Sequence, residues 1–316
     1  MNFSSLLSII LTLFLLLVCG YFCRKKEIID TLASKRLSKL ILSIGQPMLI
    51  IASLNKAEYS KENLSVAWQI TLLGFALHTL IAILAYLLCR LIKRNFNKAK
   101  IFEFSLVFGN CAFIGFPILD SLLGEGIGSF MGSFYVISFH LFFWTWGILI
   151  FARKREDIRL TPKKILLNFG TVPCAIGVVL YLLKPVFTLP NFAGQFLTYL
   201  GSLCTPISVL ITGALLATVS LGRMFTSWKL YLHSFIKLVA LPVAVCLITK
   251  LCGLSDLFVL FSTAMAAVPS ASSVTMLAEL YDIEPGYASQ TVGMTSILST
   301  ATLPVVMLFA QWVTTL

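Results

Sequence analysis

Charge is scarce in this chain. Only 12% of its 316 residues are Asp, Glu, Lys or Arg, while 58% are hydrophobic. That balance excludes an ordinary soluble domain and a disordered segment. Acid is scarcer than base: 13 Asp and Glu stand against 24 Lys and Arg, for a formal charge of +11. No His-Glu-x-x-His pair, Gly-x-x-x-x-Gly-Lys-Ser/Thr loop or Gly-x-Ser-x-Gly elbow occurs. The acids and histidines inside apolar stretches are too scattered to form a triad, so the chain does not read as an enzyme. Its eight Cys lack metal or redox spacing, and most (Cys19, Cys89, Cys111, Cys174, Cys246) lie in apolar runs, where a thiol serves as a small hydrophobe. Neither a metal nor a cofactor is expected. No basic patch with interleaved aromatics marks a nucleic-acid surface; the basic excess suits loops that orient membrane helices.

Long apolar runs are what the chain has instead. The first, about 3–22, has no basic residue before it and is followed by Arg24-Lys25-Lys26. A secretory signal has its charges first, and this run is long enough for one crossing. Apolar windows and loop charges predict ten spans, at about 3–22, 37–54, 66–88, 101–121, 130–151, 165–183, 196–219, 230–250, 257–279 and 288–311. Of the 24 Lys and Arg, 19 fall on one side of these spans and 4 on the other, with Lys237 inside span eight. This bias places the basic loops in the cytoplasm and both termini outside. The expected protein is multi-pass and sits in a plasma membrane, the bacterial inner membrane, with lipid around it. No soluble domain fits between the spans; the longest polar link runs from Arg153 to Lys164.

Two spans are interrupted. Span four contains Gly109-Asn110-Cys111-Ala112-Phe113-Ile114-Gly115-Phe116-Pro117, and span nine contains Ala264-Met265-Ala266-Ala267-Val268-Pro269-Ser270-Ala271-Ser272-Ser273. A broken helix frees backbone N–H and C=O groups, which is tolerated in a membrane only where protein buries them or they line a wet cavity. Paired breaks in corresponding positions of two halves point to a transporter's binding site. A weaker echo links Gln46-Pro47 in span two with Thr205-Pro206 in span seven. Five spans per half is an odd number, so the second half must insert inverted. The chain thus divides into repeats at 1–155 and 156–316.

The chemistry of such breaks favours an anion. If each helix restarts at its proline, two N-terminal ends with loose N–H groups and partial positive charge face one another. Each end is worth about 0.3–1 kcal/mol, or about 2 when partly buried, against several kcal/mol to dehydrate a carboxylate. Polar donors must therefore help. Asn110, Ser270, Ser272 and Ser273 are the candidates, although serines there can also simply cap the helix. Gly115, with Gly109, Ala266 and Ala267, lets helices cross closely. Candidate proton or ion-coupling groups are His78, His140, Asp120 and Lys237. For each a bland role competes: a histidine bonded between helices, an acid in an outer vestibule, a lysine snorkelling to the interface.

On these residues the chain resembles the auxin efflux carrier family, which includes plant PIN auxin exporters and bacterial malonate-type permeases. The run from Gly109 to Pro117 is similar to that family's Gly-Asn-x-x-Phe-x-Gly-x-Pro segment; Met265 to Pro269 resembles its ninth span, and Gln46-Pro47 and Leu303-Pro304 match its proline positions. The resemblance implies the fold of bile acid sodium symporters, with a scaffold of spans 1, 2, 6 and 7 and a transport domain of spans 3–5 and 8–10. It implies an organic anion as partner, with Asn110, Pro117 and Pro269 at the crossover. The expected function is alternating-access efflux or exchange of small carboxylates or auxin-like acids. A sodium-coupled symporter of bulkier acids, or a membrane receptor that no longer transports, is the alternative. A homodimer is compatible with either. No cluster of acids at the breaks speaks for firm sodium binding.

Overall fold

The computed structural model describes residues 3–91, 96–124, 126–155, 161 and 167–315. Most of the expected basic link (156–160 and 162–166, with Arg159, Lys163 and Lys164), the start of span six, and Lys93 and Arg94 lie outside the described residues. The described chain is all helical. In order, the helices are α1 (Phe3–Lys25), α2 (Thr31–Lys56), α3 (Lys61–Leu91), α4 (Phe96–Val107), α5 (111–123), α6 (Ile127–Ala152), α7 (Thr171–Leu183), α8 (Asn191–Leu216), α9 (Leu221–Thr226), α10 (Trp228–Leu251), α11 (Asp256–Ala267), α12 (Ser273–Leu280) and α13 (Pro285–Thr315). Six of them, α2, α3, α6, α8, α10 and α13, are long and apolar enough to cross a membrane. Several helices run beyond the apolar windows of the sequence because polar first turns extend them, as at Asp30, whose side chain caps α2 by accepting the Ala33 N–H at 2.6 Å.

Proline shapes the helices in two ways. In α2, α5 and α10 a π-helical turn (Ile41–Gly45, Cys111–Gly115, Ile236–Ala240) comes just before Pro47, Pro117 or Pro242. Proline has no N–H and clashes with the carbonyl one turn back; the wider turn relieves both, so the helix continues. Phe116, just before Pro117, accordingly stays helical at φ −61°, ψ −51°. Pro269 acts differently. Val268 before it is driven to φ −64°, ψ 146°, and α11 stops there.

Packing follows a reciprocal pattern. α1 lies against α8, and α7 lies against α2. A Cβ on Gly20 or Gly213 would strike the backbone at Leu210 or Leu17, so α1 and α8 meet backbone to backbone. α2 and α8 cross where Gly45 faces the Cys204 thiol. In the first half α3 packs on α6 and α4, and α5 on α6; in the second, α10 packs on α13 and α11, and α12 on α13. An aromatic cluster of Phe104, Phe108, Phe143 and Phe151, all fully buried, fixes α4 to α6 with ring centroids 4.5–5.4 Å apart. At the end near the basic loops, Glu103 is clamped by both terminal nitrogens of Arg153, and Lys100 donates to the Phe151 carbonyl at 2.9 Å.

The α1–α8 crossing yields a first prediction. Gly213→Val forces a side chain into the Leu17 carbonyl and lowers stability by about 1–3 kcal/mol. Thermal unfolding in detergent measures it, and an unchanged midpoint contradicts the close contact.

Candidate crossover site

The two breaks meet. Gly109 and Ser270 form an isolated antiparallel bridge. The Asn110 N–H donates to the Pro269 carbonyl at 2.7 Å, and the Ala271 N–H donates to the Phe108 carbonyl at 3.0 Å. Each broken segment thus satisfies groups the other has freed. A side chain on Gly109 would lie 2.6 Å from Val268, and one on Gly115 would lie 2.5 Å from the Met265 methyl. These contacts explain both glycines by close approach.

The helix restarts do not both follow their prolines. α5 begins at Cys111, before Pro117, and α12 begins at Ser273, after Pro269. The first break is made at Gly109-Asn110, where Asn110 sits at φ −80°, ψ 61°; Pro117 lies further along α5, accommodated by the π turn. The two helix starts nevertheless flank the bridge. Among the described residues, the backbone N–H groups of Ala112, Ser272 and Ser273 have no partner.

Two cavities adjoin these starts. One, of about 50 Å³, is lined by Ala112, Ser272 and Ser273, by Asn110 and His140, and by Gln46 and Ser208 from α2 and α8. That volume holds a few water molecules or a carboxylate head. The other, of about 370 Å³, lies against α1, α8 and α13, with Leu11, Phe14, Leu17, Val209 and Val292 among its apolar lining and Thr212, Ser296 and Thr300 among its polar lining. Asn110 and Ser272 line both. In the smaller cavity, His140 Nδ1 and Gln46 Oε1 are buried without a partner. Such orphaned atoms suit a polar occupant.

The remaining predicted residues divide clearly. Ser272 Oγ donates to Ser208 Oγ at 2.7 Å, joining α12 to α8 at the cavity wall. Ser270 is fully committed to structure: its Oγ donates to the Ser105 carbonyl at 3.0 Å, and its N–H donates to Thr295 Oγ1 at 3.3 Å. Asp120 caps α6, accepting from the Ser129 N–H at 2.8 Å and the Ser129 hydroxyl at 2.5 Å. His78 lies among Phe108, Tyr135, Phe139 and Phe142, with Nδ1 2.7 Å from the Gly74 carbonyl, and lines neither cavity.

Lys237 does not snorkel. It is 1% exposed, and its Nζ donates to the Leu106 carbonyl at 3.0 Å, at the C-terminal, electronegative end of α4. A Cβ on Gly109 would sit 3.3 Å from that ammonium, so the charge lies directly behind the bridge. One turn back on α10, His233 Nε2 is 3.1 Å from Ser105 Oγ. Gln46, Ser208, Ser105 and His233 were not singled out as site residues from the sequence. The Gln46-Pro47 and Thr205-Pro206 echo was the available signal for the α2–α8 wall, and the spacing of His233 and Lys237 on one helical face was the signal for the pair behind the bridge.

Residues 5–307 match the membrane transport protein family, the domain of the auxin efflux carriers. The chain belongs to the auxin efflux carrier family. An uncharacterized transporter of Methanothermobacter thermautotrophicus is 23% identical over 299 residues, covering 93% of this chain and 95% of the relative. An uncharacterized transporter of Methanocaldococcus jannaschii is 22% identical over 304 residues, with coverage of 93% and 95%. With its long apolar helices, this family member is a multi-pass membrane transporter.

The ammonium behind the bridge gives the second prediction. Lys237→Met leaves the end of α4 without its donor and lowers stability by about 1–3 kcal/mol. Thermal unfolding of the purified variant reads this loss, and a midpoint equal to the parent's contradicts the role.

Proposed function

We propose that this transporter is a secondary carrier of small organic anions, binding the carboxylate at the crossover and working by alternating access. The observation that carries the reading is the set of unpartnered N–H groups at Ala112, Ser272 and Ser273 around a cavity that Asn110 also lines. Two helix starts supply about 0.3–1 kcal/mol each, up to about 2 when partly buried. They fall short of the several kcal/mol that dehydration costs. Lys237 adds a full positive charge directly behind the bridge. Asn110, with its amide donors, and Ser273 complete the cradle. The adjoining apolar chamber takes the body of the acid, so aliphatic and aromatic acids are both admissible.

The architecture that fits this role is a five-plus-five inverted repeat, 1–155 and 156–316, on the fold of the bile acid sodium symporters. The reciprocal packing of α1 on α8 and α7 on α2 supports it, as does the repeated neighbour pattern of α3–α6 and α10–α13. α1, α2, α7 and α8 then form the scaffold. The crossover helices and their partners form the moving body, sliding where Ser208 and Gln46 meet Ser272 and His140. An ammonium already neutralises the carbonyl end of α4, so we read the carrier as sodium-independent. Its basic loops put both termini outside the cytoplasm of a plasma membrane.

Uptake into proteoliposomes tests this function, with malonate and indole-3-acetate as probes. Asn110→Ala, which removes both amide donors from the two cavities, lowers initial uptake by at least about tenfold while the unfolding midpoint shifts by less than about 1 kcal/mol equivalent. Uptake equal to the parent's for both acids contradicts the assigned role.

A further inference from the structure

A second polar site lies away from the crossover, at the end of the molecule that carries the basic loops. Glu279, on the last turn of α12, is only 2% exposed, and its Oε1 has no hydrogen-bond partner. It faces Ser34 on α2. The hydroxyls of Ser34 and of Ser38, one turn on along the same helix face, are 1% and 0% exposed and have no partner of good hydrogen-bond geometry, with Ser34 poised next to the Glu279 carboxyl. α2 belongs to the proposed scaffold and α12 to the proposed moving body, so these orphaned groups lie where the two bodies touch.

The charges around Glu279 are Lys35, Arg24 and Asp282. Lys35 is already spent: its ammonium donates to both carboxylate oxygens of Asp282, at 2.7 and 2.8 Å. Arg24 donates to the Ile29 carbonyl at 3.3 Å and to Thr31 Oγ1 at 3.0 Å. α12 also packs on α4, α8 and α13. On α4, Glu103 is clamped by Arg153, Lys100 is bonded to the Phe151 carbonyl, and Lys98 lies over the Tyr287 ring; the described parts of α8 and α13 carry no Asp, Glu, Lys or Arg. A buried carboxylate needs acceptor bonds on both oxygens, whereas a carboxylic acid is neutral and carries its own O–H donor for a serine oxygen.

We propose that Glu279 binds a proton when α12 is packed on α2, and that this proton latches the basic-loop side of the carrier shut. The acid and the hydroxyls of Ser34 and Ser38 then share hydrogen bonds across the interface. When the bodies part, water reaches the carboxyl, the proton leaves to the solvent on that side, and the carboxylate stays hydrated. Closing takes one proton back from the same side. The site thus senses pH on one face and moves no net proton across the membrane. Assigning the latch to a transport cycle rests on the carrier reading, but its test needs no substrate.

Infrared spectroscopy of the purified protein at about pH 7 reads the site directly, since exposed carboxyls are ionised there. The expected result is a carboxylic-acid C=O band that Glu279→Gln loses. Absence of the band from the parent, or its persistence in the variant, overturns the proposal. Should Glu279→Gln fail to fold, Ser34→Ala with Ser38→Ala keeps the acid and must shift the band; an unshifted band overturns the serines' part. Hydrogen exchange of the α12 amides, corrected for intrinsic rates, reads the latch itself. Protection falls with rising pH in the parent and stays constant in Glu279→Gln; equal pH dependence in both proteins contradicts the latch.

Discussion

The structure is governed by what a broken helix must do with its backbone where water is scarce. Each break releases N–H and C=O groups that cost several kcal/mol apiece if left bare in hydrocarbon. Here the two breaks solve the problem for one another. Asn110 and Ala271 exchange hydrogen bonds with Pro269 and Phe108, and Ser270 and Lys237 cover the carbonyl end of α4. Donors remain at Ala112, Ser272 and Ser273, at the two helix starts. Helix N-terminal donors beside a buried ammonium give a positive field, which is the source of the proposed selectivity for anions.

Position turns this field into a candidate mechanism. The crossover meets α8 through polar contacts, Ser272 with Ser208 and Thr275 with Thr212 at 2.9 Å. Hydroxyl contacts exchange with water at modest net cost, so they suit an interface that must part and re-form. Elsewhere the same bodies are packed hard. The Phe104–Phe108–Phe143–Phe151 cluster holds α4 to α6, and the glycine crossing holds α1 to α8. Rigid bodies with a hydroxyl-lined seam between them fit alternating access.

Much of this was legible in the sequence. Apolar runs located the helices, and Gly109-Asn110 and Val268-Pro269 located the breaks, because glycine, asparagine and proline state their backbone preferences locally. The family resemblance is matched over residues 5–307. Three things were not legible. Pro117 looked like a helix start, yet the preceding π turn absorbs it, and such a turn depends on neighbours that a single sequence does not specify. For Lys237 the sequence left a coupling charge and a snorkelling side chain both open, since its partner, the Leu106 carbonyl, is 131 residues away in sequence. Ser270, grouped with Ser272 and Ser273 by adjacency, bonds instead to Ser105 and Thr295, because it pairs with Gly109 in the bridge before the chain turns helical at Ser272.

The account stands on a positive field at the crossover, and a charge-deletion comparison of ligands measures it most directly. The unfolding midpoint of the purified carrier is recorded with malonate and with its uncharged diamide, and with indole-3-acetate and its uncharged amide. Binding to the folded state raises the midpoint. The account predicts that at least one acid raises it and that the matching amide, of the same shape without the charge, does not. Equal stabilisation by acid and amide would contradict it.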